Sequence, residues 1–252
     1  MNEKKNILIT GASSGIGEAL ALYYAQNGAE NLFICGRNAE RLNDVKSRCE
    51  KFGIKVYAEI LNVSEREKVA VWIKNCEKIA QLNMVFANAG VSTGEETPEN
   101  IFNTFDINVG GTINTVTPAV EIFKKRKDEN KTIVITASIA GYHGLPACPS
   151  YSASKACIKA YGEALRGALL AHKIKVCVVC PGFVKSRITD KNTCPMPFFM
   201  QADKAARIIA ERVEKNVGLI AFPWPMRLAV WGLSILPNCL SDFIYARLPH
   251  KV

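Results

Sequence analysis

The chain has 252 residues, 48% of them hydrophobic and 22% charged, which supports a sizeable core, excludes a disordered polymer and suits one large α/β domain better than two small ones. The formal charge of +9 is compatible with nucleic acid, an anionic membrane surface or an anionic cofactor. Its basic residues are scattered, however, and the one tight run, Lys124-Lys125-Arg126-Lys127, falls where a helix should end and complements the helix dipole, so no nucleic-acid partner is expected.

The N-terminal residues Met1 to Asn6 are polar, and no run reaches the ~18–20 apolar residues of a membrane span. Asn6 to Thr10 reads as a buried strand, Ile16 to Asn27 as a helix closed by Gly28, and Asn31 to Cys35 as a second strand. A helix over Ala39–Phe52 ends at Gly53. Lys55 to Leu61 is a third strand, and a helix from about Ser64 to Ile79 opens on a Ser64/Glu67 capping box. Leu82 to Ala87 is a fourth strand, Pro98 to Lys125 a long helix or two, and Lys131 to Thr136 a fifth strand. Ser150 to His172 is helical, Ile174 to Cys180 a sixth strand, Ala202 to Lys215 a helix and Gly218 to Phe222 a last short strand. The strands are apolar throughout rather than alternating, the pattern of a parallel sheet covered on both faces. The expected fold is therefore α/β, a doubly wound parallel sheet of Rossmann type in a single domain. Residues 1–222 form the dinucleotide-binding and catalytic part, and 223–252 an apolar helical extension of the same domain.

Nine cysteines, an odd number without framework spacing, fit a reduced cytoplasmic chain. Cys177 and Cys180 lie three apart on a strand and face opposite sides. No second pair has ligand spacing, so no metal site is expected.

Ligands of such folds sit beyond the carboxyl ends of the strands. Directly after the first strand comes Thr10-Gly11-Ala12-Ser13-Ser14-Gly15-Ile16-Gly17. Gly11 suits a tight turn, Gly15 a close backbone approach to a pyrophosphate, and Gly17 close packing of helix on sheet. The helix N-terminus that follows offers N–H donors to phosphates, so Ser13, Ser14 and Ile16 are placed with these glycines at a dinucleotide. The second strand ends in Gly36-Arg37-Asn38, with no acidic residue for a free ribose 2′-hydroxyl. Arg37 instead suits a 2′-phosphate, with help from Ser13. The expected cofactor is NADPH/NADP+, with NADH the lesser alternative.

Tyr151 and Lys155 stand four apart in a helix-forming run, on one helix face. An ammonium beside a phenol is expected to lower its pKa and make it a competent acid and base. Ser138, just past the fifth strand, can hydrogen-bond a substrate carbonyl and stabilise a developing alkoxide. No G-x-S-x-G elbow surrounds it, which argues against a serine hydrolase.

These motifs together resemble the compact branch of the short-chain dehydrogenase/reductase family, from about Asn6 to Phe222. Gly11, Gly15 and Gly17 resemble its TGxxxGxG loop, and Asn88-Ala89-Gly90 its NAG, which steadies the sheet and the adenosine side. Asn108 resembles its helix asparagine, and Ser138, Tyr151 and Lys155 the rest of its catalytic tetrad. Pro181-Gly182-Phe183-Val184 resembles its PG motif at the nicotinamide. The resemblance implies that Tyr151 exchanges the substrate proton and Lys155 lowers its pKa and holds the nicotinamide ribose. It further implies that Ser138 binds the substrate oxygen and that Asn108 holds a relay water. Pro181, Gly182, Val184 and Ser186 would meet the nicotinamide, with Ser186 where the family often has threonine. Asn62, beside Val63, stands where the family usually has aspartate at the adenine, which weakens that contact.

Between Phe183 and Gln201 the run Cys194-Pro195-Met196-Pro197-Phe198-Phe199-Met200 suggests cover for a bulky or apolar substrate, or ordinary packing. The apolar tail, Pro223 to Leu236 and then Cys239 to Leu248, has three readings. It packs on its own subunit near the pocket, in an oligomer interface, or at a membrane surface with Trp224, Trp231, Arg227 and Arg247 at headgroup level. The expected activity is hydride transfer between nicotinamide and a ketone or secondary alcohol, by a homodimer or homotetramer. A cofactor-binding sensor on the same fold is the alternative, disfavoured because it needs no general acid. An epimerase or dehydratase would want a longer substrate domain.

Overall fold

The computed structural model describes residues 4–93, 95–191 and 195–245; Cys194, Arg247 and Leu248, named above, lie outside these. Strands β1 (Lys5–Thr10), β2 (Ala29–Gly36), β3 (Lys55–Ile60), β4 (Met84–Ala87), β5 (Thr132–Thr136), β6 (Lys175–Pro181) and β7 (Leu219–Phe222) form one sheet in the order β3-β2-β1-β4-β5-β6-β7. Every pairing is parallel. The expected Rossmann-type doubly wound sheet is what the chain builds. Its order reverses between β1 and β4, which opens a crevice at their carboxyl ends.

Two apolar layers cover the sheet, as the unbroken hydrophobic strands require. On one face α1 (Gly15–Gln26), α2 (Ala39–Glu50) and α7 (Ala202–Glu214) bury Leu20, Leu42 and Ile209 against Ile7, Ile9 and Ile34. On the other, α3 (Arg66–Ile79), α5 (Gly111–Lys124) and α6 (Pro149–Ala168) bury Trp72, Val116 and Ile158 against Leu8, Val85 and Ile135. Cys177 belongs to the first layer and Cys180 to the second, the opposed placement a strand demands.

One local expectation changes. The helix expected from Ser64 starts at Arg66, with Glu65 as its N-cap and no side-chain capping bond. Asn62 Oδ1 instead accepts from Ser64 N at 3.3 Å, and Asn114 Nδ2 of α5 donates to the Val63 carbonyl at 3.0 Å. This clamped turn holds Ser64 outside the helix. The stretch Pro98–Lys125 is α4 (Pro98–Phe105) running through a π-turn at Asp106–Gly110 into α5. Thr97 caps α4 by accepting from Asn100 N.

The basic run behind α5 serves the fold through Arg126, whose guanidinium binds the Leu82 carbonyl and the Asp128 carboxylate. Beside it, Lys131 is fully buried at the start of β5. Its ammonium donates to the carbonyls of Arg126 at 2.8 Å, His172 at 3.1 Å and Phe123 at 3.3 Å. It thereby closes the carboxyl end of α5 and the turn after α6 in one knot. Lys131→Met keeps the stem but removes the donors. It is expected to cost about 2–4 kcal/mol and to lower Tm by roughly 5–15 °C in thermal circular dichroism; a fall under about 2 °C would mean that the carbonyls find other partners.

Candidate active site

The β1–α1 loop is built on glycine geometry. Gly11 (φ +69°) and Gly15 (φ +59°) adopt the left-handed region that side chains disfavour. A Cβ on Gly17 would stand 2.3 Å from the Gly11 carbonyl oxygen and 2.6 Å from Asn88 Nδ2. No larger residue can let α1 approach the sheet this closely. Ser14 is the N-cap of α1 in an extended conformation, and its side chain makes no capping bond. The N–H groups of the first turn are thus left to an external acceptor.

A second set of bonds fixes the neighbouring β4 loop. Asn88 N and Ala89 N donate to Thr10 Oγ1 at 3.0 and 3.2 Å, and Asn88 Nδ2 donates to the Thr10 carbonyl at 3.2 Å. Thr136 Oγ1 donates to Asn88 Oδ1 at 3.3 Å. Asn88 therefore ties β1, β4 and β5 together at their carboxyl ends.

These ends line a cleft of about 340 Å³. Its walls carry Gly11, Ser13, Ser14, Gly15 and Ile16 from the glycine loop; Arg37 after β2; Asn62 and Val63 after β3; and Asn88, Ala89 and Gly90 after β4. Ser138 follows β5, Tyr151 and Lys155 come from α6, and Pro181, Gly182, Val184 and Ser186 follow β6. Of the residues named from sequence, Gly17 and Asn108 stand behind the wall rather than in it.

Asn108 is fully buried in the π-turn. Its Oδ1 accepts from Val91 N at 2.8 Å, while Nδ2 donates to the Val91 carbonyl at 3.0 Å and to Ser154 Oγ at 3.0 Å. The amide is committed to bracing the β4 loop against α6. Any relay water would have to be held by other atoms.

Three further residues escaped the sequence reading. Arg41, in the first turn of α2, lines the cleft with Arg37, and its Nε is buried without a hydrogen-bond partner. Its signal was its place one helical turn after Arg37, behind the strand that ends at the 2′-position. Glu96 caps α6 from the segment before α4: Ser150 N donates to Oε1 at 3.1 Å and Ser150 Oγ at 2.8 Å. A carboxylate at that end suits the helix dipole and orients the residue next to Tyr151. Thr189 closes the loop after β6, where Ser186 N donates to its Oγ1 at 2.8 Å.

At the centre, Ser138 Oγ donates to the Pro181 carbonyl at 3.4 Å and accepts from Ala140 N at 3.1 Å, and it lies close enough to Tyr151 to favour the ionised phenol. Lys155 Nζ donates to the Thr136 carbonyl at 3.0 Å and lies 5.8 Å from the centre of the Tyr151 ring. Gly141 makes this packing possible, because a Cβ there would stand 2.7 Å from the Lys155 carbonyl. The pKa values run against the sequence expectation. Burial pushes the Tyr151 phenol up to about 12, with Ser138 pulling the other way. Burial likewise brings the Lys155 ammonium down to about 8. Desolvation outweighs the attraction that an i,i+4 spacing suggested. The site holds a neutral phenol, a proton donor, beside an ammonium that titrates close to neutrality.

The cleft's donors fit a dinucleotide: a glycine cradle that a Cβ would fill, a helix end without a side-chain cap, and an unpaired guanidinium nitrogen. On the substrate side, Met200 pairs with Val184 as an isolated bridge, while Phe198 and Phe199 are exposed rather than packed away. Helix α8 (Trp224–Ile235) rests Met226 and Val230 on the second core layer. Met226 Sδ would be 3.0 Å from a Cβ on Gly182. Helix α8 thus packs on the body of the chain beside the cleft through one of its faces.

Comparison with known proteins agrees with this architecture. An uncharacterized oxidoreductase of Myxococcus xanthus is 32% identical over 249 residues, covering 97% of each chain. A short chain dehydrogenase of Burkholderia cenocepacia, solved in complex with NADP, superposes with a TM-score of 0.81 over 96% of this chain and 98% of its own, at 22% identity. One from Mycobacterium paratuberculosis, bound to NAD, gives 0.78 over 90% and 98%, also at 22%. The family model described as short chain dehydrogenase matches residues 5–195, the span from β1 to the segment beyond β6, and the chain belongs to that family of oxidoreductases.

Proposed function

We propose that the chain is an NADP(H)-dependent oxidoreductase that interconverts a ketone and a secondary alcohol on a bulky or apolar substrate. The observation that carries this reading is the hydroxyl pair Ser138–Tyr151, set beside Lys155 at the same cleft as the glycine loop. Bound there, a nicotinamide supplies the electron pair and hydrogen that reduce a carbonyl carbon.

The chain's own residues do the rest. The first turn of α1 binds the pyrophosphate through backbone N–H groups. Gly11, Ser14, Gly15, Ile16 and Gly17 shape that turn, while Asn62, Val63, Asn88, Ala89 and Gly90 line the adenosine side. Pro181, Gly182, Val184 and Ser186 line the nicotinamide side, with Thr189 bracing their loop. Ser138 holds the substrate oxygen. Tyr151, kept protonated by burial, gives that oxygen its proton as negative charge develops. Lys155 supplies a positive charge to the same region and has donors left for a ribose. Asn108 positions the β4 loop and α6. A phenol that stays protonated through the physiological range favours the reductive direction.

Arg37 and Arg41 support a preference for the 2′-phosphate. Both residues line the cleft with Ser13, and β2 is followed directly by Arg37-Asn38 rather than by an acidic residue that would welcome a free 2′-hydroxyl. The exposed Phe198 and Phe199 beside Val184 support an apolar substrate. Exposed Phe102, Phe105 and Ile113 on α4 and α5 support a homodimer or homotetramer. The buried thiols of Cys35, Cys49, Cys76, Cys177 and Cys180 support a cytoplasmic chain.

Tyr151→Phe is expected to cut NADPH-dependent ketone reduction by about 10²-fold or more while leaving NADPH affinity, followed by nicotinamide fluorescence, within about threefold. Near-normal turnover would overturn the mechanism. The double variant Arg37→Ala with Arg41→Ala is expected to raise the KM for NADPH by about 10–100-fold and to leave that for NADH little changed; equal losses with both would assign the arginines elsewhere. The pH profile has a stated sign. Lys155 is charged below about 8 and loses its proton above it, whereas Tyr151 keeps its proton up to about 12. Reductive kcat/KM should be level below pH 8 and fall above it; a profile still level well into the alkaline range would remove Lys155 charge from the mechanism.

A further inference from the structure

Helix α8 is apolar on two opposite faces. Met226 and Val230 point into the second core layer. On the other side Trp224, Leu228, Trp231 and Ile235 remain 71%, 54%, 53% and 63% exposed. Their spacing of four, three and four residues aligns them in one stripe along the helix. Arg227 is exposed at the edge of the helix, where its guanidinium lies near the Tyr142 phenol, and the helix contains no acidic residue. A surface helix ordinarily turns polar residues outward there.

The four side chains expose on the order of 500 Å² of apolar surface, at the upper end of what a monomer carries without using it. That is about the apolar share of the ~800 Å² each partner contributes to a stable protein interface, so the area alone does not choose the occupant. The chemistry of the stripe does. Two tryptophans two turns apart are side chains that settle at the boundary of water and hydrocarbon. A helix without an acidic residue, on a chain of net charge +9, complements anionic headgroups. At twelve residues α8 is about 18 Å long and too short to cross a bilayer, and no described helix is long and apolar enough to do so. It would lie in the interfacial plane, with the stripe buried ~5–10 Å deep.

We propose that the outer face of α8 is a lipid-docking surface and that its partner is an anionic bilayer. Because the inner face of α8 packs beside Gly182 and near the turn Ile139–Gly141 after Ser138, docking holds the cleft within one helix thickness of the membrane.

The test is co-sedimentation of the full chain with phosphatidylcholine vesicles and with vesicles containing phosphatidylglycerol, alongside tryptophan emission. Trp72 is buried in the core and Trp224 and Trp231 are exposed, so a blue shift on binding reports the stripe. The chain should sediment with the anionic vesicles, shift its emission and be released by salt. The double variant Leu228→Glu with Trp231→Glu, at exposed positions, should keep its circular dichroism spectrum and lose more than about tenfold in partitioning. Arg227→Glu should weaken binding to anionic vesicles alone. A chain that stays in the supernatant with both vesicle types, or binding that the double variant leaves intact, overturns the proposal. So does a dimer, seen by analytical ultracentrifugation, that the double variant splits while vesicles bind neither protein; that result would assign the stripe to a second copy.

Discussion

The clasp between Thr10 and Asn88 is the contact on which the rest of the site depends. In a doubly wound sheet the strand order must reverse somewhere, and here it does so between β1 and β4. The two chains leave the sheet in opposite directions at that point, so their loops part and a crevice opens. Left unbraced, those loops would carry unpaired backbone groups into a buried corner. Thr10 and Asn88 prevent this by satisfying one another's donors and acceptors, and Thr136 extends the clasp to β5. Gly17 is pressed against the same corner, where a Cβ would meet both the Gly11 carbonyl and the Asn88 amide. The glycine loop and the asparagine loop are thus one packed unit, and the cofactor cradle is its outer surface.

Against that unit the chain sets a costly pair. Tyr151 and Lys155 are both held where charge is penalised, and their pKa values move away from neutrality for the phenol and toward it for the amine. Burying an ammonium with only part of its hydrogen-bonding capacity used is a sacrifice of stability. The contrast with Lys131 makes the point. That ammonium is as deeply buried but has three carbonyl partners, and it locks the fold. Lys155 has the Thr136 carbonyl and keeps donors in reserve. The same side-chain type is spent on structure at one end of β5 and held for chemistry at the other.

Much of this was legible in the residues because it rests on local rules. Apolar strands alternating with helical periods dictate a covered parallel sheet, and a glycine loop between strand and helix dictates a phosphate cradle. What escaped the sequence depends on contacts between distant segments. Ser64 has the right spacing for a capping box, yet Asn62 and Asn114 hold its turn outside the helix. The resemblance gives Asn108 a relay water, and only the packing shows its amide bracing Val91 and Ser154. Glu96 caps a helix some fifty residues away, which no local pattern announces. An i,i+4 spacing reports that Tyr151 and Lys155 are neighbours. It says nothing of the dielectric around them, and desolvation there reverses the expected direction of the phenol's shift.

The C-terminal segment shows the same limit from the other side. Its composition announces an apolar helix, and three destinations compete because a core, an interface and a bilayer all accept Leu, Ile and Trp. Periodicity cannot choose when both faces are apolar, since no polar side remains to mark which way the helix must turn. Only the packing separates the faces. Met226 and Val230 are used by the fold, and the Trp224–Ile235 stripe is not. Core packing therefore explains the inner face alone. The outer face needs a second cause, and an apolar stripe on a helix without an acid, in a basic chain, points that cause toward a surface both greasy and negatively charged.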